Sequence, residues 1–268
     1  MNTTLYYFSG TGNSFSVAKN LASILGDTNI ISIPSVMKES SEVIPPSGKV
    51  GIICPVYDAG IPVLVREFLS RLNIRNSSYV FGIATFAGTG GSALKMMNND
   101  LLEHNTKGLD AGFLVKMPGN FPPLYVPPSG LKVTKILQDA DIRIKRIAES
   151  IREEKHQKIG MFILSSLMQA ALYGGFAKSV HTLDEKFSVS DACTGCGACV
   201  KVCPVKNISF ENERPVYHHH CELCCACLNY CPVQAIDLSL LRGTKGRGRY
   251  HHPEVSVTDM NQGQGEFL

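Results

Sequence analysis

The feature that most constrains this sequence is a block of four cysteines that occurs twice. Each copy reads Cys-x2-Cys-x2-Cys-x3-Cys-Pro, and every cysteine recurs at an offset of 28 residues. The cysteines are Cys193, Cys196, Cys199 and Cys203 in the first copy, and Cys221, Cys224, Cys227 and Cys231 in the second. The chain therefore contains a duplicated unit with two thiol-rich loops.

This spacing is typical of a pair of [4Fe-4S] clusters. Three cysteines at intervals of three residues let one loop curl around a cubane, and the proline after the fourth prevents the loop from continuing as a helix. In motifs of this kind the fourth cysteine ligates the other cluster. We therefore predict two ligand sets, which are Cys193, Cys196, Cys199 with Cys231, and Cys221, Cys224, Cys227 with Cys203.

Other uses of these cysteines fit the pattern less well. Zinc ribbons need four thiolates rather than eight, and disulfides need an oxidising compartment. Cys225 aligns with Gly197 of the first copy, which makes Cys224 the predicted ligand, although a swap between these adjacent thiols stays open. The histidines at 218–220 are interpreted as a solvated or packing run rather than as ligands.

Length and composition indicate an ordinary globular chain with two domains. The chain has 268 residues, 44% hydrophobic and 18% charged, with a formal net charge of +3. Because the charge is small and the cations are mostly dispersed, we expect no nucleic-acid partner. The sequence begins with a strand-like TTLYYF and shows no signal-peptide pattern, which predicts a cytoplasmic location.

The N-terminal segment predicts a strand, a loop rich in glycine and hydroxyl groups, and a helix. Thr3 to Phe8 is apolar, and Phe15 to Leu25 has helical spacing. Such a loop presents free backbone N–H groups to a phosphate, and here it contains no Lys or Arg. It resembles the FMN loop of flavodoxins, with an ordinary capped turn as the alternative. The candidate ligands are Ser9, Thr11, Gly12, Asn13 and Ser14.

Strand and helix patterns alternate through the first half of the chain. Strands are predicted at 28–33, 49–54, 79–85 and 111–116, with helices at roughly 62–72, 91–104 and 130–156. This alternation favours a doubly wound parallel sheet. In the flavodoxin strand order 2-1-3-4-5, FMN lies where strands 1 and 3 part.

Two loops after predicted strands 3 and 4 are candidates for flanking the flavin ring. Tyr57 is the predicted stacking residue and Phe86 the second choice, while Cys54 is interpreted as a buried structural thiol. The proline-rich loop 117–128 is expected either to cover the flavin or to dock the second domain. The candidate residues of the two loops are Pro55, Val56, Tyr57, Phe86, Ala87, Gly88, Thr89, Gly90 and Gly91.

The pattern divides the chain into four segments. These are a flavodoxin-like FMN-binding domain at 1–156, an apolar linker helix at 157–186, a ferredoxin domain at 187–242 and a C-terminal tail at 243–268. The uncharged stretch 159–177 reaches the lower length limit of a membrane span. Its glycine, serine and glutamine content favours a helix packed between domains or in a dimer contact, with peripheral membrane association left open. We expect the tail to be partly ordered.

Both halves together resemble the flavodoxin–ferredoxin fusions called EFR1-family ferredoxins. The resemblance covers about residues 1–155 through the Ser-Gly-Thr-Gly-Asn-Ser loop and the sheet pattern, and 186–240 through the doubled cysteine motif. It implies an α/β fold, with a flavodoxin-like doubly wound parallel sheet followed by a small α+β 2[4Fe-4S] ferredoxin domain. The implied function is electron transfer among FMN, two [4Fe-4S] clusters and a redox partner protein, with no residue acting as an acid or nucleophile.

Two other functions stay open from the sequence. The chain could be an FMN-dependent oxidoreductase for NAD(P)H or a quinone. Its flavodoxin-like half could also be an empty docking module for a ferredoxin.

Overall fold

The computed structural model describes residues 2–46, 48–157, 159 and 173–262. Its N-terminal half is built around one five-stranded parallel sheet with the order β2-β1-β3-β4-β5, as the sequence predicts. The strands are β1 (Thr3–Tyr7), β2 (Thr28–Ser32), β3 (Gly48–Pro55), β4 (Ser77–Phe86) and β5 (Ala111–Lys116). The chain order reverses between β1 and β3, so that a crevice opens at their carboxyl ends.

Helices cover both faces of this sheet. They are α1 (Asn13–Leu25), α2 (Ile33–Glu39), α3 (Val63–Arg71), α4 (Ala93–His104) and α5 (Leu131–Arg152). One apolar layer contains Ile52 and Phe68, and the other contains Ile53, Phe81 and Ile144. Because both faces are covered, the central strands are apolar along nearly their whole length. Helix α2 is not among the predicted elements.

The C-terminal half contains two small antiparallel pairs. Strand β6 (Phe187–Val189) pairs with β9 (Ile236–Leu238), and β7 (Ile208–Glu211) pairs with β8 (Arg214–Tyr217). The β7–β8 hairpin lies between the two cysteine copies. Short helices α7 (Ala198–Val202) and α8 (Ala226–Asn229) follow the two cysteine loops.

The structure describes only part of the segment that links the two halves of the chain. Most of the uncharged stretch 159–177 lies outside the described residues, which resume with α6 (Gly174–Ser179) and a 3-10 helix (Val180–Lys186). In the described part of the chain, no helix has the length and apolar character to cross a bilayer.

The segment 243–262 packs against both halves, through Asn13 and Asn229, and it ends in α9 (Val257–Gln262). Tyr250, Val255 and Met260 are buried and anchor it. The segment lacks a periodic apolar pattern, so its sequence does not reveal these anchors.

Candidate functional site

The loop between β1 and α1 is buried and held by its own hydroxyl groups. Gly12 has a φ of 89°, a left-handed conformation that favours glycine. Its N–H donates to Ser9 Oγ at 3.1 Å, and the hydroxyls of Ser14 and Thr85 share a hydrogen bond of 2.9 Å. The loop is therefore a fixed cradle at the N-terminus of α1, the positive end of that helix.

A C-terminal strap, residues 249–256, crosses this cradle. The Tyr250 hydroxyl donates to Asn13 Oδ1 at 3.1 Å, and the His252 N–H donates to the Thr11 carbonyl at 2.8 Å. A Cβ placed on Gly12 would lie 2.8 Å from the Cβ of Val255. The strap thus packs directly on the loop. Sequence reasoning missed its residues because nothing links position 250 to position 13 except tertiary packing.

A cavity of about 530 Å³ opens beside the cradle. Most of the predicted flavin residues line it, which are Ser9, Thr11, Asn13, Ser14, Pro55, Val56, Tyr57, Phe86, Ala87, Gly88 and Thr89. Gly12, Gly90 and Gly91 do not line it. Gly91 instead packs on Ala59, where an added Cβ would meet the Ala59 carbonyl oxygen at 2.4 Å, and Gly90 packs on Leu114. These two glycines therefore pack against neighbouring residues and do not face the cavity.

The proline-rich loop and the second domain close the cavity. The loop contributes Phe121, Leu124 and Tyr125, and the second half contributes Leu223 and Cys224. Loop 117–128 therefore lines the cavity and also contacts the second domain, where Asn229 Nδ2 donates to the Asn120 carbonyl at 3.0 Å. That the loop covers a flavin stays a prediction. Phe176 and Leu241 also line the cavity, and the sequence offers no local signal for either. The other lining residues are Gly10, Asp58, Ala59, Thr85, Met117, Pro118 and Asn120.

Tyr57 lies at the border between the two domains. Its ring meets Phe8 and Phe176 edge-on, with centroids 6.3 Å apart in both pairs. Its buried hydroxyl has no hydrogen-bond partner among the described residues. Burial raises the pKa of Tyr57, and negative charge on Cys224 and Cys225 raises it further.

The cradle and the second cysteine loop are in direct contact. A Cβ on Gly10 would lie 2.5 Å from the carbonyl oxygen of Cys224 and 2.8 Å from its Cβ. Only glycine allows this approach, because Cys224 backbone fills the space that any side chain would need. Cys224 is therefore part of the cavity wall as well as a predicted cluster ligand.

Four of the predicted ligands, Cys203, Cys221, Cys224 and Cys227, line one small cavity together. Burial raises the pKa of Cys224, and charge on Cys203, Cys221 and Cys227 raises it further. The pKa of Cys199 is raised to about 11, mainly by burial and partly by charge on Cys196 and Cys231. The fourth cysteine of each copy thus lies with the other copy, which matches the two predicted ligand sets; ligation by each thiolate stays a prediction. We call Cys203, Cys221, Cys224 and Cys227 the inner set, and Cys193, Cys196, Cys199 and Cys231 the outer set.

Backbone amides support several of these sulfurs. The N–H groups of Asn207, Leu223 and Ala235 donate to Cys203, Cys221 and Cys231 respectively, each at 3.2 Å. Such hydrogen bonds stabilise negative charge on cluster sulfurs and tune the reduction potential. Within the described residues, no three His, Cys, Asp or Glu side chains form a site for a single metal ion. In a [4Fe-4S] cubane each thiolate binds a different iron, so the four sulfurs lie farther apart than the ligands of a single metal ion.

The two sets differ in access to solvent. In the outer set Cys196 is exposed, whereas in the inner set Cys203, Cys221 and Cys227 are buried. Cys225 is also buried and has a φ of 56°, close to the 70° of its repeat partner Gly197. The two loops therefore keep the same register.

Two buried carboxylates accept hydrogen bonds that stabilise the position of the cysteine domain. Glu222 Oε2 accepts a hydrogen bond from the Leu64 N–H at 3.2 Å, near the N-terminus of α3, and burial raises the pKa of Glu222 to about 7. Asp184 accepts from His219 Nδ1 at 2.8 Å and from Asn207 Nδ2 at 2.8 Å. Of the three histidines at 218–220, His219 is thus hydrogen-bonded to a buried carboxylate of the fold.

Comparison with known proteins assigns the cysteine domain. Residues 186–244 match the family model of the 4Fe-4S dicluster domain. An uncharacterised protein of Methanocaldococcus jannaschii is 51% identical over 39 residues, which are 15% of this chain and 11% of that protein. The chain thus spans about a tenth of the length of the curated relative that it matches.

Solved structures show weaker likeness to the chain. A flavoprotein in complex with FMN from Lactobacillus acidophilus NCFM is 13% identical with a TM-score of 0.34, covering 42% of this chain and 92% of that one. The two-electron reduced flavodoxin of Megasphaera elsdenii is 14% identical with a TM-score of 0.33, covering 52% of this chain and 97% of that one.

The strand order and the family match together define the class of protein. The chain joins a flavodoxin-like domain to a 4Fe-4S dicluster domain. The narrower likeness to EFR1-family ferredoxins stays a resemblance.

Proposed function

We propose that this protein transfers electrons between FMN in the cavity, a cluster held by the inner set, a cluster held by the outer set, and a redox partner protein. The observation that carries the proposal is the double role of Cys224. This residue lines the cavity and belongs to the inner set, so that the two cofactor sites share a wall. We keep the four-segment division 1–156, 157–186, 187–242 and 243–268 as part of the proposal.

The cavity suits FMN in size and in its polar groups. Its volume of about 530 Å³ falls in the usual range for small-molecule sites. Among the described residues that line it there is no Lys or Arg, so a phosphate would be held by hydroxyls and N–H groups at the start of α1. Within the β1–α1 loop, the hydroxyl groups belong to Ser9, Thr11 and Ser14, and Asn13 lies in the same loop.

The remaining lining residues would orient the flavin ring and exclude water from it. Tyr57 and the Phe86 loop flank the space, and Phe121, Phe176 and Leu223 make its walls apolar. When bound, FMN supplies exchange between two-electron and one-electron chemistry, while the protein supplies position and electrostatics. No side chain is assigned a proton-transfer or nucleophilic role.

Differences in the solvent exposure of the cysteines support the order of the two clusters in the proposed electron-transfer route. The inner set adjoins the cavity, and the outer set includes the exposed Cys196. We therefore assign the outer set to exchange with the redox partner. Free thiolate ligands require a reducing compartment, and the cytoplasm is the compartment that we propose.

The test is anaerobic reconstitution of the full chain followed by cofactor quantitation. We expect one FMN and about eight irons with matching sulfide. Photoreduction of the flavin should then produce the electron paramagnetic resonance signal of reduced clusters. Zinc in place of iron, or far fewer irons, would overturn the cluster assignment. A loaded cluster domain without retained FMN would show that the flavodoxin-like half is a docking module.

A further inference from the structure

A second and wider groove adjoins the flavin cavity. Its volume is about 950 Å³, and the end of β5, the proline-rich loop and the first half of α5 form its sides. None of the functions proposed above uses it. The residues that line both the groove and the cavity are Phe86, Ala87, Gly88, Met117 and Tyr125.

The wall between the two spaces is thin at Gly88. A Cβ built on Gly88 would have no heavy atom within 4 Å, and its neighbour Ala87 carries only a methyl group. Open space therefore lies beside Gly88, between Phe86, Met117 and Tyr125, which border both the groove and the space assigned to the flavin ring. A flat ring bound at this end of the groove would lie next to the flavin.

The groove carries an excess of positive charge. Lys116, Lys132, Lys135 and Arg143 line it, and Asp139 is its only acidic lining residue in the described chain. Asp139 already pairs with Lys135 at 3.4 Å. No ion pair with a carboxylate is found for the other three cations among the described residues. Arg143 Nε donates to the Leu114 carbonyl at 3.3 Å. The other N–H groups of Arg143 and the two lysines are available to an anionic ligand.

The cations border an apolar surface. Positions 132, 135, 136, 139, 140 and 143 share one face of α5. Val126 and Leu131, at the mouth, are 68% and 89% exposed, and Leu114 lies below them. An apolar concave surface with a few convergent charges is the usual form of a small-molecule site.

We propose that this groove binds a nicotinamide dinucleotide, NADH or NADPH, as the electron donor. The inference rests on the proposed FMN site. The groove cations fit the pyrophosphate, since arginine and lysine are the usual phosphate partners. The apolar surface fits the two ring systems, and the gap at Gly88 fits the nicotinamide. One reduced nicotinamide would give the flavin a hydride, which carries two electrons and one proton. The two clusters would then take one electron each and the proton would pass to solvent, so that electrons and protons balance.

The test measures binding of the oxidised nucleotides, so that no electron transfer disturbs it. NADP⁺ and NAD⁺ are titrated separately into the oxidised, FMN- and iron-loaded full chain by calorimetry. We expect at least one to bind with a Kd below about 1 mM. The double variant Lys116→Gln/Lys132→Gln should weaken it about tenfold or more, because it removes two charge-assisted contacts. The matched control is Lys145→Gln, an exposed α5 residue that does not line the groove, which should leave the Kd unchanged.

Three results would overturn the inference. The first is no binding of either nucleotide below about 1 mM. The second is binding that the double variant leaves intact. The third is no nucleotide binding while the double variant slows electron exchange with an acidic ferredoxin, which would make the groove a protein-docking surface. FMN, iron and flavin-to-cluster photoreduction are measured in the same samples. Their loss reports failure of the proposed function, whereas failure of this inference leaves them intact.

Discussion

The two cysteine loops have nearly the same sequence pattern and very different surroundings. Cys196 and Cys224 occupy equivalent places in the repeat, yet Cys196 is exposed whereas Cys224 packs on Gly10 of the phosphate cradle. The flavodoxin-like domain covers one copy and leaves the other open. A duplicated unit thus becomes asymmetric through its neighbours, and the asymmetry gives the two clusters different positions in the proposed route.

The strongest test of this asymmetry removes one equivalent ligand from each loop. Both Cys224→Ser and Cys196→Ser should lose one cluster, which is about half of the iron. In Cys224→Ser, photoreduced flavin should no longer reduce a cluster, because the inner cluster that adjoins the cavity is gone. In Cys196→Ser, the inner cluster should still be reduced. Electron paramagnetic resonance after flavin photoreduction distinguishes the two variants. Equal behaviour would show that the loops are equivalent in function.

A smaller expected effect concerns the contact between the domains. In Gly10→Ala, the new methyl group would lie 2.5 Å from the Cys224 carbonyl oxygen, so the loops must move apart. We expect the apparent free energy of unfolding to fall by about 1–3 kcal/mol, together with weaker FMN retention on gel filtration. The control is Gly174→Ala in α6, where an added Cβ has no heavy atom within 4 Å. An equally stable Gly10→Ala protein that retains FMN would contradict the close contact.

Local patterns predicted the fold but not the closure of the site. The alternation of strand and helix patterns predicted a doubly wound parallel sheet, and the resemblance to flavodoxins implied its strand order. The spacing of the eight cysteines predicted the [4Fe-4S] clusters. The prediction missed α2, whose seven residues follow β2 directly and include Pro34 in the first turn. Gly90 and Gly91 do not line the cavity, and their part in flavin binding stays a prediction.

The residues that close the site are those that local patterns could not reach. Tyr250 and Leu241 reach the site across more than two hundred residues of chain, and no local periodicity records such contacts. The same holds for the near approach of Cys224 to Gly10, which depends on how two separately recognisable domains dock.

A more modest effect is expected from two tyrosines near the C-terminus. Tyr250 donates to Asn13 Oδ1 in the cradle at 3.1 Å, whereas Tyr230 donates to the Val255 carbonyl at 3.1 Å and does not touch the cradle. Tyr250→Phe should raise the Kd for FMN about two- to tenfold, the usual value of one hydrogen bond. The Kd for riboflavin, which lacks the phosphate, should not change. Fluorescence titration with both flavins measures the difference.

Tyr230→Phe is the matched control for that experiment. It removes one buried hydroxyl from the same region and should affect the two flavins equally. If Tyr250→Phe also weakened both flavins equally, the hydroxyl would support the fold in general and not the phosphate cradle.

The smallest effect concerns the position where a glycine of the first loop is replaced by a cysteine in the second. Gly197 and Cys225 have φ values of 70° and 56°, so both occupy a left-handed conformation. This conformation costs a side-chain-bearing residue about 1–2 kcal/mol. Gly197→Ala should therefore lower the apparent stability by about 1 kcal/mol through backbone strain alone, because an added Cβ has no heavy atom within 4 Å.

Cys225→Gly should change the apparent stability by less, since relief of the strain offsets the loss of a buried thiol. Denaturant midpoints of the iron-loaded proteins, measured without oxygen, compare the two variants. Iron content is the decisive measurement. The shared backbone conformation makes Cys225 the counterpart of Gly197, a non-ligand, and Cys224 the predicted ligand. An unchanged content of about eight irons is expected for Cys225→Gly. A fall toward four would mean that the adjacent thiol ligates the inner cluster, and the equivalence of the two loop registers would then be wrong.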